Sequence, residues 1–488
     1  MFERILIANR GEIALRIIRT LKLLGIESVV IYSDVDKNLP FVKYADYSQN
    51  IGEPLNYLNI ELILDIAKKY KVDAIHPGYG FLAENSKFAK IVEENNIKFI
   101  GPNYKAMNML GDKANAKKIA KEINIPIAES SPDLKDINEI KEYIKKIGLP
   151  VLIKASAGGG GKGMKKIESF ENIDEVILSA KREALNNFSD DRIIVEKYIY
   201  PARHIEVQII ADEHGNILVF GERECSLQRR HQKIIEEALS PALNEQEREK
   251  LYEYAKKIIK YTNYTNAGTI EFLYSQGEFY FLEVNSRIQV EHPVSEMITG
   301  FDLIKLQIEV AQNKKLELKQ EDIKFRGHSI EARLYAEDVL NNFFPQTGKI
   351  EYIEYPNMPH LRIDYGYVTG NEITPFYDPM IAKIISYGEN REIARKRLLE
   401  GLKEIKYLGP INNLEFLIYL LESEEFKNGD TFTHTVENIL EEFKNVDRKL
   451  PEEVIKYVAS FFYSTSKSTK ISNNRIDIIS YIKPKVYP

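Results

Sequence analysis

Two glutamates and an asparagine on one hairpin set the first chemical expectation. Thr269-Ile270-Glu271-Phe272-Leu273 and Phe279-Tyr280-Phe281-Leu282-Glu283 are apolar strand runs joined by the turn signal Ser275-Gln276-Gly277. Such a hairpin brings Glu271 and Glu283 close across its two strands. Two-residue alternation continued toward Glu291 puts Glu283, Asn285 and Arg287 on one face, with Tyr280, Leu282 and Val284 on the other. Neighbouring carboxylates on an apolar hairpin repel, which is costly unless a cation sits between them. Glu, Glu and Asn are all oxygen donors, the ligand type Mg²⁺ takes when it also holds phosphates. The competing reading is a solvated strand face with incidental charge. Metals other than Mg²⁺ or Mn²⁺ are not expected, since the 8 histidines contain no H-x₃₋₅-H pair and Cys225 has no partner.

A second signal is Lys154-Ala155-Ser156-Ala157-Gly158-Gly159-Gly160-Gly161-Lys162-Gly163. Glycines let backbone N–H groups close on phosphate oxygens, and Lys154 at a strand end adds a point charge. Met164 after Gly163 breaks the Walker pattern. A flexible linker is the alternative, but the run sits between two apolar strands. Two further clusters, Glu224 to Lys233 and Pro201-Ala202-Arg203-His204-Ile205-Glu206, concentrate basic and polar groups. In the second, His204, Glu206 and Gln208 share a strand face. Either cluster could also be a solvated charge run.

The elements that must position these groups are legible in outline. Ile5-Leu6-Ile7-Ala8, Ser28 to Tyr32, Asp73 to His76 and Lys98 to Pro102 read as strands alternating with helices, which predicts a parallel, Rossmann-like sheet over 1–112. No G-x-G-x-x-G follows the first strand, so NAD is not implied. A helix is expected from Asp112 to about Asn124, a compact α/β piece over 130–200, and strands with one long helix (244–262) over 201–328. Another α/β unit is expected from His328 to about 445, with strands near 328–335 and 381–387 and an amphipathic helix near 390–405. The tail, 446–488, holds one predicted helix, Glu452–Tyr463, before a Ser/Thr/Lys/Asn-rich, poorly packed end.

Length and composition bound the rest. At 488 residues the chain exceeds a single core of roughly 250–300 residues, so several domains are expected. It is 44% hydrophobic and 29% charged, with net charge −6 and no charged tail, which argues against nucleic acid or anionic membrane as partner. One cysteine, no signal-peptide pattern and no apolar stretch of ~20 residues lead to the expectation of a cytoplasmic protein.

In order along the chain, Ile7-Ala8-Asn9-Arg10-Gly11-Glu12-Ile13-Ala14, His76-Pro77-Gly78-Tyr79-Gly80-Phe81-Leu82, Gly111-Asp112-Lys113, the glycine run, Arg229-Arg230-His231-Gln232-Lys233 and Arg287-Ile288-Gln289-Val290-Glu291-His292-Pro293 resemble the biotin carboxylase family of ATP-grasp enzymes. The resemblance covers about 1–445. It implies an N-terminal parallel α/β domain (1–112), an ATP-grasp domain (113–328) with a mobile lid at about 130–200, and a biotin carboxylase C-terminal domain (329–445). The implied activity is a ligase reaction, the ATP- and Mg²⁺-dependent (or Mn²⁺-dependent) carboxylation of carrier-bound biotin with bicarbonate through carboxyphosphate.

Position by position, the resemblance assigns Lys113, Lys154 and His204 to the nucleotide and Gly160 and Gly161 to covering its phosphates. Glu196, Lys197, Tyr198 and Ile199 become the adenine-side hinge, with His231 nearby. Glu271, Glu283 and Asn285 become Mg²⁺ ligands. Lys233, Arg287, Gln289 and the Val290 backbone hold bicarbonate, Glu291 is the base and Arg333 steadies the biotin enolate. Lys162 stands where arginine is frequent, Ser286 replaces a common threonine and Ala332 a common cysteine. No Ala-Met-Lys-Met-type hairpin occurs. Separate chains are therefore expected to supply the biotin carboxyl carrier protein (or biotinylated subunit) and the carboxyltransferase subunit. Homodimerisation is a family expectation. The tail is similar to those of two-subunit pyruvate carboxylases, which favours pyruvate over acetyl-CoA as final acceptor. The alternatives are another ATP-grasp carboxylate–amine ligase, or a non-catalytic carboxylase scaffold.

Overall fold

A computed structural model describes residues 1–156, 164–188, 190–230 and 232–446. The expected tail helix at 452–463 lies outside the described residues. Five strands, β1 (Arg4–Ile7), β2 (Glu27–Tyr32), β3 (Tyr47–Asn50), β4 (Ala74–His76) and β5 (Lys98–Phe99), form the predicted parallel sheet in the order β3-β2-β1-β4-β5. The first helix, Gly11–Leu24, ends at Gly25 in the left-handed region (φ 67°), where its N–H caps Leu21 and Lys22 carbonyls. β3 is polar and lies at the sheet edge, so no apolar alternation marked it.

β6 (Val151–Ala155), β7 (Met164–Ile167) and β8 (Ile193–Lys197) make a small antiparallel sheet ordered β7-β6-β8. Ile140, Ile144, Ile177 and Val195 pack with it into a separate apolar core.

The largest layer has eight strands. β9 (Arg203–Ala211), β10 (Ile217–Arg229), β11 (Gln232–Ala238), β12 (Asn266–Ser275), β13 (Glu278–Asn285), β14 (His328–Tyr335), β15 (Leu361–Tyr365) and β16 (Met380–Gly388) run antiparallel in the order β13-β12-β9-β10-β11-β14-β16-β15. The strands expected beyond His328 form where anticipated, but not as a sheet of their own. β14 pairs with β11, so one ladder carries side chains from residue 203 to residue 388 into a common face. Local periodicity cannot reveal this, because strand pairing across about a hundred residues leaves no trace in a short window. No helix among the described residues is long and apolar enough to cross a membrane.

Glu237 fastens that junction. Its carboxylate lies 2.6 Å from His328 Nε2 and accepts from Arg391 at 2.7 and 3.0 Å. Burial alone would raise its pKa, but His328 and Arg391 outweigh burial and bring it down to about 2. A carboxylate depressed when folded contributes stability above its unfolded pKa and loses it as pH falls through the folded value. Urea unfolding at roughly pH 5 and pH 3 is therefore expected to show Glu237→Gln losing about 2 kcal/mol less than the wild type over that interval.

Candidate active site

The hairpin forms as predicted, and its turn is the tight two-residue kind. Gln276 and Gly277 both take positive φ (50° and 82°), and Glu271 lies opposite Glu283. The alternation along β13 is broken, however. The register shifts between the pairs Glu271–Glu283 and Phe272–Phe281, leaving Leu282 as an extra residue, a β-bulge. Phe279, Phe281 and Val284 enter the core, while Leu282 and Glu283 both face the cleft. Leu282 therefore does not share the face of Val284 as expected. β13 also ends at Asn285. Arg287 reaches the site from the irregular segment Ser286–Glu291 ahead of the helix His292–Thr299, rather than by strand alternation.

The neighbouring strands supply what the hairpin lacks. Glu206 of β9 stands opposite Glu271, and Arg223 of β10 opposite Glu206. Arg223 is completely buried and donates to Glu206 at 2.5 Å and Gln208 at 2.8 Å. Lys233 of β11 then reaches across, donating to Glu206 (2.5 Å), Glu271 (2.8 Å) and Glu291 (2.7 Å). Arg333 of β14 pairs with Glu236 and lies 2.9 Å from Glu291. The cation expected between the carboxylates is thus, in part, the protein's own.

Electrostatics follow from this packing. Burial pulls the Lys233 ammonium down, but Glu206, Glu271 and Glu291 outweigh it and hold the group well above the usual lysine value. Burial would push Glu291 up, yet Lys233, Arg333 and Arg223 hold it well below the carboxylate range. Glu271 is depressed against burial by Lys233 and His204. Glu236 goes the other way, raised by burial to about 7 despite Arg333.

Lys233, Glu271 and Arg333 line one wall of a cleft of about 1800 Å³, with Glu206, Glu291, Arg223 and Glu236 buried behind them. Arg287 is aimed there by Glu84 (3.0 Å), Gln289 Oε1 (2.8 Å) and Asn285 Oδ1 (3.2 Å). Lys113 pairs with Glu283 at 2.6 Å. His204 lies between Glu271 (2.9 Å) and Gln228 (2.6 Å). On the opposite side Lys154 meets Glu196 at 2.7 Å, and Lys117 pairs with the same carboxylate. Glu196 is therefore engaged through its side chain with two lysines. Lys197 donates to the Gly148 and Leu149 carbonyls, the Tyr198 ring lies under Lys166, and Ile199 lines the cleft. Gly160, Gly161 and His231 lie outside the described residues.

Glu84, Lys117, Glu206, Arg223 and Glu236 escaped the sequence reading as site residues. For Glu206 the shared strand face with His204 was the available signal; the others had none at short range. Glu271, Glu283 and Asn285 all line the cleft wall and offer the oxygen donors Mg²⁺ takes, but each is engaged: Asn285 Nδ2 donates to Glu271 at 2.7 Å, Asn285 Oδ1 accepts from Arg287, and Lys113 pairs with Glu283. His204, Glu206 and Glu271 converge, but Lys233 and Arg223 neutralise the two carboxylates there.

Three family models match consecutive stretches: the biotin carboxylase N-terminal domain (1–107), the carbamoyl-phosphate synthase L chain ATP binding domain (112–319) and the biotin carboxylase C-terminal domain (331–438). A pyruvate carboxylase subunit of Methanothermobacter thermautotrophicus is 43% identical over 479 residues, 97% of this chain and 98% of that one. The chain belongs to the biotin carboxylase family. The biotin carboxylase of Haemophilus influenzae is 44% identical over 90% of this chain and 99% of its own. The biotin carboxylase domain dimer of Hydrogenobacter thermophilus 2-oxoglutarate carboxylase, solved with MgADP, ADP and bicarbonate, matches with TM-score 0.88 at 41% identity, over 92% of this chain and 100% of that one. The ATP-grasp fold and the ATP-dependent biotin carboxylase class expected from the sequence are those of this family.

The buried charges at this wall depend on one another for stability. Arg223→Met is expected to destabilise the biotin carboxylase fold by about 3 kcal/mol, because a buried carboxylate loses a partner. Adding Glu206→Leu should recover part of that loss, as read from urea unfolding midpoints of the single and double variants.

Proposed function

We propose that this chain carboxylates biotin on a separate carrier protein, with bicarbonate held between Lys233 and Arg287 beside the phosphates of ATP. The observation that carries this reading is Lys233, 12% exposed in its side chain, joined to Glu206, Glu271 and Glu291 at one end of a cleft whose other end is lined by lysines. Phosphoryl transfer needs positioning and charge more than covalent help. Lys113, Lys154 and His204, all lining the cleft, are the nucleotide contacts in this reading, with Lys117 sharing the Glu196 carboxylate with Lys154. Mg²⁺ held by Glu271, Glu283 and Asn285 would neutralise charge on the transferring phosphoryl group.

A bicarbonate oxygen attacks the γ-phosphorus, the bond to the β-phosphate oxygen breaks, and ADP leaves. Glu291 takes the bicarbonate proton. A carboxylate held so low is a weak base, so the anion must act on both partners. Binding at Lys233 and Arg287 makes bicarbonate more acidic and draws Lys233 off Glu291, which strengthens the base. Carboxyphosphate then splits to CO₂ and phosphate, phosphate removes the biotin N1 proton, Arg333 meets the charge on the ureido oxygen, and N1 attacks the CO₂ carbon to give carboxybiotin. The lid of 130–200 keeps water from the intermediate. The boundaries 112/113, 328/329 and 445/446 are part of this proposal, supported by where the family matches stop and start.

The final acceptor we propose is pyruvate, reached through a separate carboxyltransferase chain. Support comes from the 97% coverage of this chain by the Methanothermobacter pyruvate carboxylase match, against 90% for the Haemophilus enzyme. A homodimer is proposed because the Hydrogenobacter relative was solved as one. A cytoplasmic location is proposed from the lone, buried thiol of Cys225.

Glu283→Ala and Arg287→Ala are expected to lower free-biotin-dependent ADP release by about two to three orders of magnitude, with circular dichroism unchanged. Turnover within about twofold of wild type in either variant contradicts the site assignment. ADP release driven by an amino acid in place of biotin and bicarbonate contradicts the substrate assignment.

A further inference from the structure

Lys383, in the middle of β16, has no part in the assignments above, yet it is 0% exposed. A lysine at that depth is costly unless its charge is paired. Across the ladders it stands opposite Arg333 on β14 and Asp364 on β15. Burial draws its pKa down, but Glu12, Glu331 and Asp364 outweigh burial and keep the ammonium charged. Glu12 comes from the first helix of the N-terminal sheet and lies 2.9 Å from the ammonium.

The same ammonium donates to the main-chain carbonyl of Val290 at 2.7 Å. Val290 belongs to the irregular segment between β13 and the helix from His292, where no ladder fixes the peptide planes. Its neighbours are already tied: Gln289 donates to Glu271 at 3.3 Å, and Glu291 is held by Lys233 and Arg333. The second oxygen of Glu12 accepts from the Tyr79 hydroxyl at 2.5 Å, and Tyr79 lines the cleft. A line of contacts therefore runs Tyr79–Glu12–Lys383–Val290, from the N-terminal loop, through a C-terminal strand, to the floor of the anion site.

We infer that Lys383, with Glu12, is a positioning residue for bicarbonate: it fixes the Val290 peptide so that Gln289, Val290 and Glu291 face the anion together. This rests on the bicarbonate reading of those residues. A charge-assisted bond to a carbonyl is strong and directional, and small displacements of reacting groups cost rate out of proportion to their size. If Lys383 only balanced buried charge, its loss would lower stability without selecting one substrate.

The full chain carrying Lys383→Met, Glu12→Gln or Arg287→Ala is assayed for the KM of bicarbonate and of ATP in free-biotin-dependent ADP release, with urea unfolding alongside. Lys383→Met is expected to raise the bicarbonate KM about tenfold or more while the ATP KM stays within about twofold. Glu12→Gln is expected to shift the bicarbonate KM the same way by about threefold, and it decides the matter if Lys383→Met does not fold. An unchanged bicarbonate KM, or both KM values rising together, overturns the inference. If Arg287→Ala raises the bicarbonate KM and Lys383→Met does not, the positioning role alone falls. If Arg287→Ala also leaves it unchanged, the bicarbonate reading fails and the inference falls with it.

Discussion

An ammonium group removed from water must find anions, and buried carboxylates must find cations, or neither stays charged. At the centre of this protein both demands are met at once. Lys233 is surrounded by Glu206, Glu271 and Glu291, while Arg223 and Arg333 close the outer edges of the same cluster. Removing any one member leaves its neighbours as uncompensated buried charge. That mutual dependence is why the strands that carry them must keep their register, and register is set by the apolar residues on the opposite face. Phe272, Phe279 and Phe281 on one side of the β12–β13 hairpin thus hold Glu271 and Glu283 in place on the other.

Sheet continuity is the second consequence. Lys233 comes from β11, Arg333 from β14 and Lys383 from β16, three strands of a single ladder. Cations from these strands converge on Val290 and Glu291 of the irregular segment Ser286–Glu291, which lies outside the ladders. Glu283 and Glu196 pair with Lys113 and Lys154 across the cleft from one another, and under the proposed function phosphate oxygens would compete with them for those cations.

Much of this was legible in the sequence, for reasons of range. The Glu271–Glu283 pairing followed from a turn signal only a few residues long, and the strands, the first helix with its Gly25 cap and the helix 391–404 followed from local periodicity. The bulge at Leu282 did not, because one extra residue changes no composition and breaks an alternation that looked intact. Arg287 was given a strand position it does not have, since the polar alternation outlasts the strand. Partners from distant segments were equally invisible: Glu84 on Arg287, Glu236 on Arg333, and Glu12 and Val290 on Lys383. Their contacts come from a fold that brings together residues from about ninety to more than three hundred positions apart. Family resemblance alone pointed Lys233, Arg287, Gln289 and Glu291 to bicarbonate; the geometry adds that Lys233 joins Glu291 and Arg287 joins Gln289 beside one cleft wall.

In the proposed reaction the cationic wall holds bicarbonate so that one of its oxygens becomes bonded to the γ-phosphorus of ATP. Turnover of the full chain with ¹⁸O-labelled bicarbonate, free biotin, Mg²⁺ and unlabelled ATP tests this directly, with the isotope read in the released phosphate by ³¹P NMR. Transfer of one bicarbonate oxygen into each phosphate is predicted. Phosphate released without label while biotin is carboxylated would contradict it.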